Sequence, residues 1–222
     1  MDINKISKKY NLDFYLKILF FKNNTNFGVY HGIQHYIDTI KCVQHYCEIE
    51  NIPENETRVI LLATIFHDFN YIPNRTDDEN TKNAIEGFVR HSIEDKTTNF
   101  HVTSLLINVK QHNDIFGITN KLYVKGIKII KLCNDYGYYL SSDTDDYIPY
   151  VMKRAYEDST ELNIWLNNEI INIKNFTCDI KSIKSDMKDK KDKIIEKLEW
   201  LWNFHVQTEI STQPLIGDKT NE

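Results

Sequence analysis

The scarcity of glycine and proline constrains the fold of this chain more than any other feature. Only seven glycines and four prolines are spread over 222 residues, which leaves few positions for the tight turns that join many short strands. Apolar residues recur instead at steps of three and four, as in Ile33, Ile37, Ile40, Val43 and Cys47. That spacing describes one face of a helix, and the sequence therefore predicts an all-α fold.

The stretch Val59–Phe66 is almost wholly apolar, and its periodicity alone does not separate a buried helix from a buried strand. We interpret it as a helix because Leu61, Leu62 and Ala63 are good helix formers. Similar patterns predict helices over residues 10–21, 33–47, 78–91, 100–112, 122–135, 147–156, 161–173 and 184–205. We predict one helical domain over residues 1–210, with a motif-bearing core at about 27–160, C-terminal helices at about 161–207 and a loose tail over 211–222.

Composition narrows the class of protein. Hydrophobic residues make up 41% of the chain and charged residues 27%, which is typical of a soluble globular protein. A net charge of -5 does not suit non-specific nucleic-acid binding, which depends on many Lys and Arg contacts to phosphate. No apolar stretch reaches the roughly 20 residues that span a bilayer. The cysteines form no CxxC pair, and the polar start of the chain predicts no secretory signal, so we expect a cytoplasmic protein with reduced thiols.

Three short patterns carry candidate metal ligands. His31 and His35 are four residues apart, a spacing that places both on one face of a helix. His67 and Asp68 follow the most apolar helix, where a carboxylate is rare unless it is paired or bound to a metal. Asp135 ends another apolar helix and would be a fourth ligand. Imidazole and carboxylate ligands suit a divalent transition metal, and a mixed set of this kind is typical of catalytic centres.

Each pattern alone has an ordinary structural explanation. A histidine on an apolar face is more often a hydrogen-bonded core residue than a metal ligand. A His-Asp dipeptide also arises by chance, and Asp135 suits the exposed end of a helix. The occurrence of all three patterns in one helical chain favours a metal site.

The order of these patterns resembles the HD superfamily of metal-dependent phosphohydrolases. Its cyclic-nucleotide phosphodiesterases, and a group of small predicted HD phosphohydrolases, share a YHNxxH motif that is similar to Tyr30-His31-Gly32-x-x-His35. The second group fits better, because its motifs FHDxxY, TKxH and YxxYxxxRxEY are similar to Phe66-His67-Asp68-Phe69-Asn70-Tyr71, Val109-Lys110-Gln111-His112 and Tyr147-x-x-Tyr150-x-x-x-Arg154-x-Tyr156. The resemblance extends from about Tyr30 to Tyr156.

The chain departs from this group at three places. Gly32 replaces the Asn of the first motif. Where the group tends to have DNE, the chain has Asp78-Glu79-Asn80. Where the group has DADL, the chain has Cys133-Asn134-Asp135-Tyr136, and we align Asp135 with the second Asp.

The resemblance implies a role for individual residues. His35, His67, Asp68 and Asp135 would hold one divalent ion, of which Mn, Zn, Fe, Co, Ni and Mg are candidates. The implied catalytic residues are His31 as the acid that protonates the leaving oxygen, Asp68 at the metal, Arg154 as a phosphate clamp, and Glu79 and His112 as residues that line the pocket or orient water. Two alternatives stay open: His31 only packs or caps, or Arg154 forms a surface salt bridge with Glu157 or Asp158.

The expected function is hydrolysis of a phosphomonoester or phosphodiester in a nucleotide or another small metabolite. One alternative is a di-iron oxygenase of the HD type, which would need further ligands such as His91, His101 or His112. A second alternative is a non-catalytic module that binds metal and nucleotide. We expect a small phosphorylated substrate as partner and no membrane or nucleic acid. Self-association through Trp200, Leu201 and Trp202 stays open, with core packing as the default.

Overall fold

The structure is a computed structural model, and it describes residues 2–23, 30–73, 75–110, 117–141, 147–158 and 160–212. Within these ranges the chain forms ten α-helices and no strand, which confirms the all-α prediction. The helices are α1 (Ile3–Tyr10), α2 (Asp13–Asn23), α3 (Ile33–Ile49), α4 (Glu54–Phe66), α5 (Asp77–His91), α6 (Lys96–Lys110), α7 (Lys121–Ser141), α8 (Ile148–Glu157), α9 (Leu162–Lys174) and α10 (Lys181–Thr212).

Helix α4 lies at the centre of the fold. Every residue from Val59 to Phe66 is buried, and α2, α3, α5, α6 and α7 all pack against this helix. The segment is thus a helix, as predicted, and it lacks a polar face because it has neighbours on all sides. Whatever follows Phe66 is therefore delivered into the interior of the protein.

Helix α7 continues beyond its predicted end at Asp135 as far as Ser141. The extension is stabilised from α9, because the hydroxyls of Tyr138 and Tyr139 each donate a hydrogen bond of 3.1 Å to Glu169 Oε1. Burial raises the pKa of the Glu169 carboxyl, an effect that nearby positive charge only partly opposes. This polar contact joins α7 to the C-terminal helices.

Helix α1 is the one described helix that the periodicity does not predict. It begins after Asp2, whose side chain accepts a hydrogen bond from the Asn4 N–H. It ends at Asn11, which adopts the left-handed conformation with φ of 53°. Its eight residues are too few to show a helical period clearly, although Ile6 and Tyr10 are buried.

The C-terminal helix α10 packs against α9, α7 and α3. Leu201 is buried and Trp202 packs against the core, whereas Trp200 is exposed. Helix α10 reaches Thr212, and residues 143–146 and 213–222 of the predicted loop and tail lie outside the described residues. The predicted domain boundaries stay a prediction. None of the helices in the described ranges is long and apolar enough to cross a membrane.

Two glycines of α7 provide a matched test of the packing around α4. A Cβ atom on Gly126 would lie 2.5 Å from Ile60 Cδ1, whereas on Gly137 it would lie 3.8 Å from Cys42, an ordinary contact. We expect Gly126→Ala to lower the free energy of unfolding by about 1–3 kcal/mol, because the fully buried Ile60 side chain would have to shift. Gly137→Ala should raise it by about 0.5–1 kcal/mol, because alanine favours the helix.

Urea unfolding followed by circular dichroism measures both changes. A Gly126→Ala variant as stable as Gly137→Ala would mean that α4 and α7 do not approach as closely as described.

Candidate metal centre

The start of α3 brings two histidines together. The helix begins at Ile33, so His31 precedes it, and the predicted placement of His31 and His35 on one helix is wrong. The two imidazole rings nevertheless lie 5.3 Å apart between centroids. His35 is buried and His31 is partly buried. The two rings are therefore close although only His35 belongs to α3, so the four-residue helical spacing does not explain their proximity.

The chain turns immediately after α4 and delivers His67 and Asp68 to the same place. The N–H of Phe69 donates to the Phe66 carbonyl at 3.0 Å, and the N–H of Tyr71 donates to the Asp68 carbonyl at 2.9 Å. Asn70 completes the turn in the left-handed region, with φ of 57°, which asparagine tolerates better than most residues. The side chains of His67 and Asp68 stay buried.

One oxygen atom, Asp68 Oδ2, is the hub of the cluster. It lies 2.9 Å from His67 Nε2, 3.5 Å from His31 Nε2 and 3.6 Å from His35 Nε2. The ligand atoms of His31, His35 and Asp68 all lie within 4.8 Å of one another, so this group can hold a metal ion. The carboxylate thus faces three imidazole nitrogens that come from two different segments.

The hydrogen bonding of His67 indicates what its inner nitrogen offers. Nδ1 lies 2.6 Å from the Thr64 carbonyl oxygen, and because a carbonyl only accepts, Nδ1 carries the proton. When the ring is neutral, Nε2 presents a lone pair, and this atom lies 2.9 Å from Asp68 Oδ2 and 2.7 Å from Asn134 Oδ1. Lone pairs on three atoms repel unless a proton or a cation lies among them. A fixed outer nitrogen of this kind is typical of metal-binding histidines.

His35 is held in the neutral form that metals require. Burial lowers its pKa to about 4, although Asp68 opposes the shift. The Nε2 atom of His35 lies 3.0 Å from Asn134 Oδ1. At neutral pH the ring is therefore uncharged, which is the state in which imidazole binds a metal ion.

Asn134 faces the cluster where the sequence alignment places Asp135. Ile127 and Ile130 are buried, and Asn134 shares their face of α7 because it lies four residues after Ile130. Asp135 is rotated by about 100° from that face. Its half-exposed side chain lies 3.5 Å from Arg154 Nη2 instead. The structure therefore does not bring Asp135 into the ligand set, and this placement corrects the expected fourth ligand.

Glu157 and Tyr71 hold the ring of His31. Nδ1 of His31 is bonded to Glu157 Oε1, and the backbone N–H of His31 donates to Glu157 Oε2 at 3.3 Å. The Tyr71 ring stacks on His31 with 3.9 Å between centroids. Burial raises the pKa of the Glu157 carboxyl, but the hydrogen bond and charge of His31 outweigh it and the net shift is downward. These contacts direct Nε2 of His31 toward Asp68.

Arg154 borders the cluster through Tyr30. Its Nη1 donates to Tyr30 Oη at 3.2 Å, and its guanidinium lies 5.0 Å from the centroid of the Tyr30 ring. The Tyr30 ring in turn lies 4.5 Å from the ring of His35. The ion pair of Arg154 is with Asp135, and not with Glu157, which contacts His31. Arg154 thus does not form the salt bridge with Glu157 that the sequence suggested, and it lies beside the cluster instead.

The remaining predicted residues lie away from the cluster or outside the described ranges. Glu79 is exposed in the capping box of α5, where its carboxylate accepts the Thr76 N–H at 3.0 Å. His112 falls within residues 111–116, which are outside the described residues. His91 and His101 each pack against an aromatic ring that is not part of the cluster.

Sequence reasoning missed two residues of the site. The sequence suggested Glu157 only as a potential partner of Arg154. The one feature that indicated it was the Glu of the YxxYxxxRxEY motif, which stands one position later in this chain. The sequence prediction assigned the ligand position to Asp135 and not to Asn134. Its signal was the spacing from Ile127 and Ile130.

The chain has no match among protein-family models, curated proteins or solved structures. Membership of the HD superfamily therefore stays a prediction. What the site does must be inferred from its own side chains.

The lowered pKa of His35 predicts a pH-dependent stability. Unfolded His35 takes up a proton near pH 6.5, whereas the folded residue does so near pH 4. Below pH 6.5 the unfolded chain thus binds more protons, and stability falls as the pH falls. In a chelating buffer, the free energy of unfolding from urea titrations should drop by about 2 kcal/mol between pH 7.5 and pH 5 through this residue. His35→Gln should lose that part of the slope, and an unchanged slope would contradict the assignment.

The contacts of His31 predict its tautomer. Because the Glu157 carboxylate accepts from Nδ1, neutral His31 should carry its proton on Nδ1. Nitrogen–proton correlation spectra of the imidazole at about pH 8 distinguish the two tautomers. Glu157→Leu should shift the ring toward the Nε2–H form, which most histidines favour in water. His45, which lies outside the cluster, serves as the internal control.

Proposed function

We propose that this protein is a metal-dependent phosphohydrolase that cleaves a phosphomonoester or phosphodiester of a nucleotide or another small metabolite. The observation that carries the proposal is the convergence of three imidazole nitrogens on one buried oxygen of Asp68. Nitrogen and oxygen ligands without thiolate are typical of catalytic centres. The resemblance in motif order to the HD phosphohydrolases supports the same reaction class.

The residues of the cluster suit a divalent ion in charge and in protonation state. Asp68 supplies one carboxylate, burial keeps His35 neutral, and His67 adds a second imidazole at an adjacent position. A divalent ion held there would polarise a phosphoryl oxygen and lower the pKa of a water molecule. The same ion would offset the cost of burying the Asp68 carboxylate.

Arg154 would bind the phosphate group of the substrate. Its contacts to Tyr30 and Asp135 are long, at 3.2–3.5 Å. A phosphate offers two oxygens to the planar guanidinium, and such bidentate bonds are shorter and stronger than these. Arg154 would therefore exchange weak contacts within the protein for strong contacts with the substrate.

His31 would transfer a proton to the leaving oxygen. Its Nε2 faces the cluster, while Glu157 accepts from Nδ1 and stabilises the protonated ring. Imidazole is the side chain best suited to give and regain a proton at neutral pH. In this assignment Glu157 positions the acid and does not touch the substrate.

The proposal predicts that metal content and turnover are lost together when Asp68 is changed. Purified protein loaded in turn with Mn, Co, Ni, Zn, Fe or Mg is assayed for phosphate release from nucleoside monophosphates, cyclic nucleotides and p-nitrophenyl phosphate. Wild type should hold a divalent ion and turn over at least one of these. Asp68→Asn should lose the ion, and its rate should fall by more than about 100-fold.

Asp179→Asn is the matched control, because that exposed carboxylate pairs with Lys128 away from the cluster. It should retain both metal and rate. Two irons per chain and consumption of oxygen would favour the di-iron alternative, whereas metal and nucleotide binding without turnover would favour a non-catalytic module. Wild type that binds no metal would exclude the proposed function.

A further inference from the structure

We infer that Asn134 is a metal ligand of this centre through its neutral amide oxygen, and that an anionic substrate consequently strengthens metal binding. The first half concerns the site alone. The second half rests on the proposed function, because it takes the substrate to be a phosphate ester.

The position of the amide oxygen is the evidence that Asn134 is a metal ligand. Asn134 Oδ1 lies 2.7 Å from His67 Nε2 and 3.0 Å from His35 Nε2. His67 donates its Nδ1 proton outward to the Thr64 carbonyl, so in the neutral ring Nε2 and the amide oxygen present lone pairs to each other. A cation bound by both atoms removes that repulsion. Amide oxygens of asparagine are common ligands of hard divalent ions.

The neighbour of Asn134 keeps the oxygen pointed inward. The Nδ2 group of Asn134 lies 3.4 Å from Asp135 Oδ1, which can accept from it. Rotating the amide by half a turn would bring Oδ1 against that carboxylate and lose this contact. Asp135 itself is anchored on the outer side by Arg154. In this arrangement Asp135 orients a ligand without being one.

The charge of the centre is the reason to expect that an anionic substrate strengthens metal binding. Of the four groups that would bind the ion, only Asp68 brings a negative charge, because the amide of Asn134 and metal-bound imidazoles of His35 and His67 carry none. The other nearby carboxylate, Glu157, is bonded to His31. A divalent ion bound by these groups keeps a net positive charge, whereas a second carboxylate would cancel it. Asp135 and Arg154 largely offset each other one side chain further out. A phosphate group would supply the missing negative charge, so binding of the ion and of phosphate should be coupled.

Calorimetric titration with Mn²⁺ alone tests the ligand assignment. Asn134→Asp should tighten Mn²⁺ binding by about tenfold or more, because affinity at such sites follows the charge of the ligands. Asn134→Leu, which removes the amide but keeps similar bulk, should weaken binding by about tenfold. Asp179→Asn is the matched control and should leave the affinity unchanged, because that exposed carboxylate pairs with Lys128. Asp135→Asn keeps an oxygen that can accept from Asn134 Nδ2, so it should weaken binding by less than about threefold.

Two results would overturn the assignment. If Asp135→Asn weakened Mn²⁺ binding as much as Asp68→Asn does, Asp135 would be the ligand. If Asn134→Leu left the affinity unchanged, the amide would present its nitrogen to the histidines and would not bind the ion. Circular dichroism of each variant shows whether the helices are retained, and Asn134→Gln provides a second amide variant if Asn134→Leu does not fold.

Titration in the presence of inorganic phosphate tests the coupling. A fixed phosphate concentration should lower the apparent Kd of wild type for Mn²⁺ by about fivefold or more. It should have a much smaller effect on Asn134→Asp, which also corrects for complex formation between Mn²⁺ and phosphate in solution. Equal responses of the two proteins would exclude the coupling. If Mn²⁺ binding depends on Asn134 but no ester is turned over, this inference stands and the proposed function is rejected. If an ester is turned over but Mn²⁺ binding depends on Asp135, the proposed function stands and this inference is rejected.

Discussion

The contact between Asp68 Oδ2 and three imidazole nitrogens is the interaction on which the rest of the structure depends. Helix α4 is buried on all sides, so it carries the following carboxylate into a region with little water. An isolated buried carboxylate costs several kcal/mol, even after the surroundings relax. Helices α3, α4 and α7 must therefore pack so that the groups around Asp68 meet. The mutual packing of these three helices satisfies that requirement.

Most of the fold was predictable because its helices bury one face and repeat their apolar residues accordingly. The pattern of α3 and the continuous apolar run of α4 both lead to the correct element. The pattern fails where stability comes from another part of the chain. The last turns of α7 depend on the bonds from Tyr138 and Tyr139 to Glu169, and no local signal records a partner thirty residues away. Helix α1 is simply too short to display its period.

The residues of the candidate site were likewise predictable only where a local sequence pattern indicates them. His67 and Asp68 were identified because burial of a charge can be inferred from the apolar run before it. His31 and His35 were identified by a spacing that suggested one helix, yet the turn at residues 30–32 and the bond to Glu157 are what bring them together. Asp135 was expected as the ligand from its alignment with the second Asp of the DADL motif, although the positions of Ile127 and Ile130 already favour Asn134 as the inward residue. Helical phase was the better guide, because it determines which side chain faces the core.

The amide of Asn134 also has a consequence for how such a protein can change over generations. Codons for asparagine and aspartate differ only in their first base, and the two side chains are almost equal in volume. One nucleotide substitution can therefore convert a neutral oxygen between His35 and His67 into a charged one without disturbing the packing of α7 on α3 and α4. The charge at the centre is thus inherited separately from the fold, and selection can act on it in a single step.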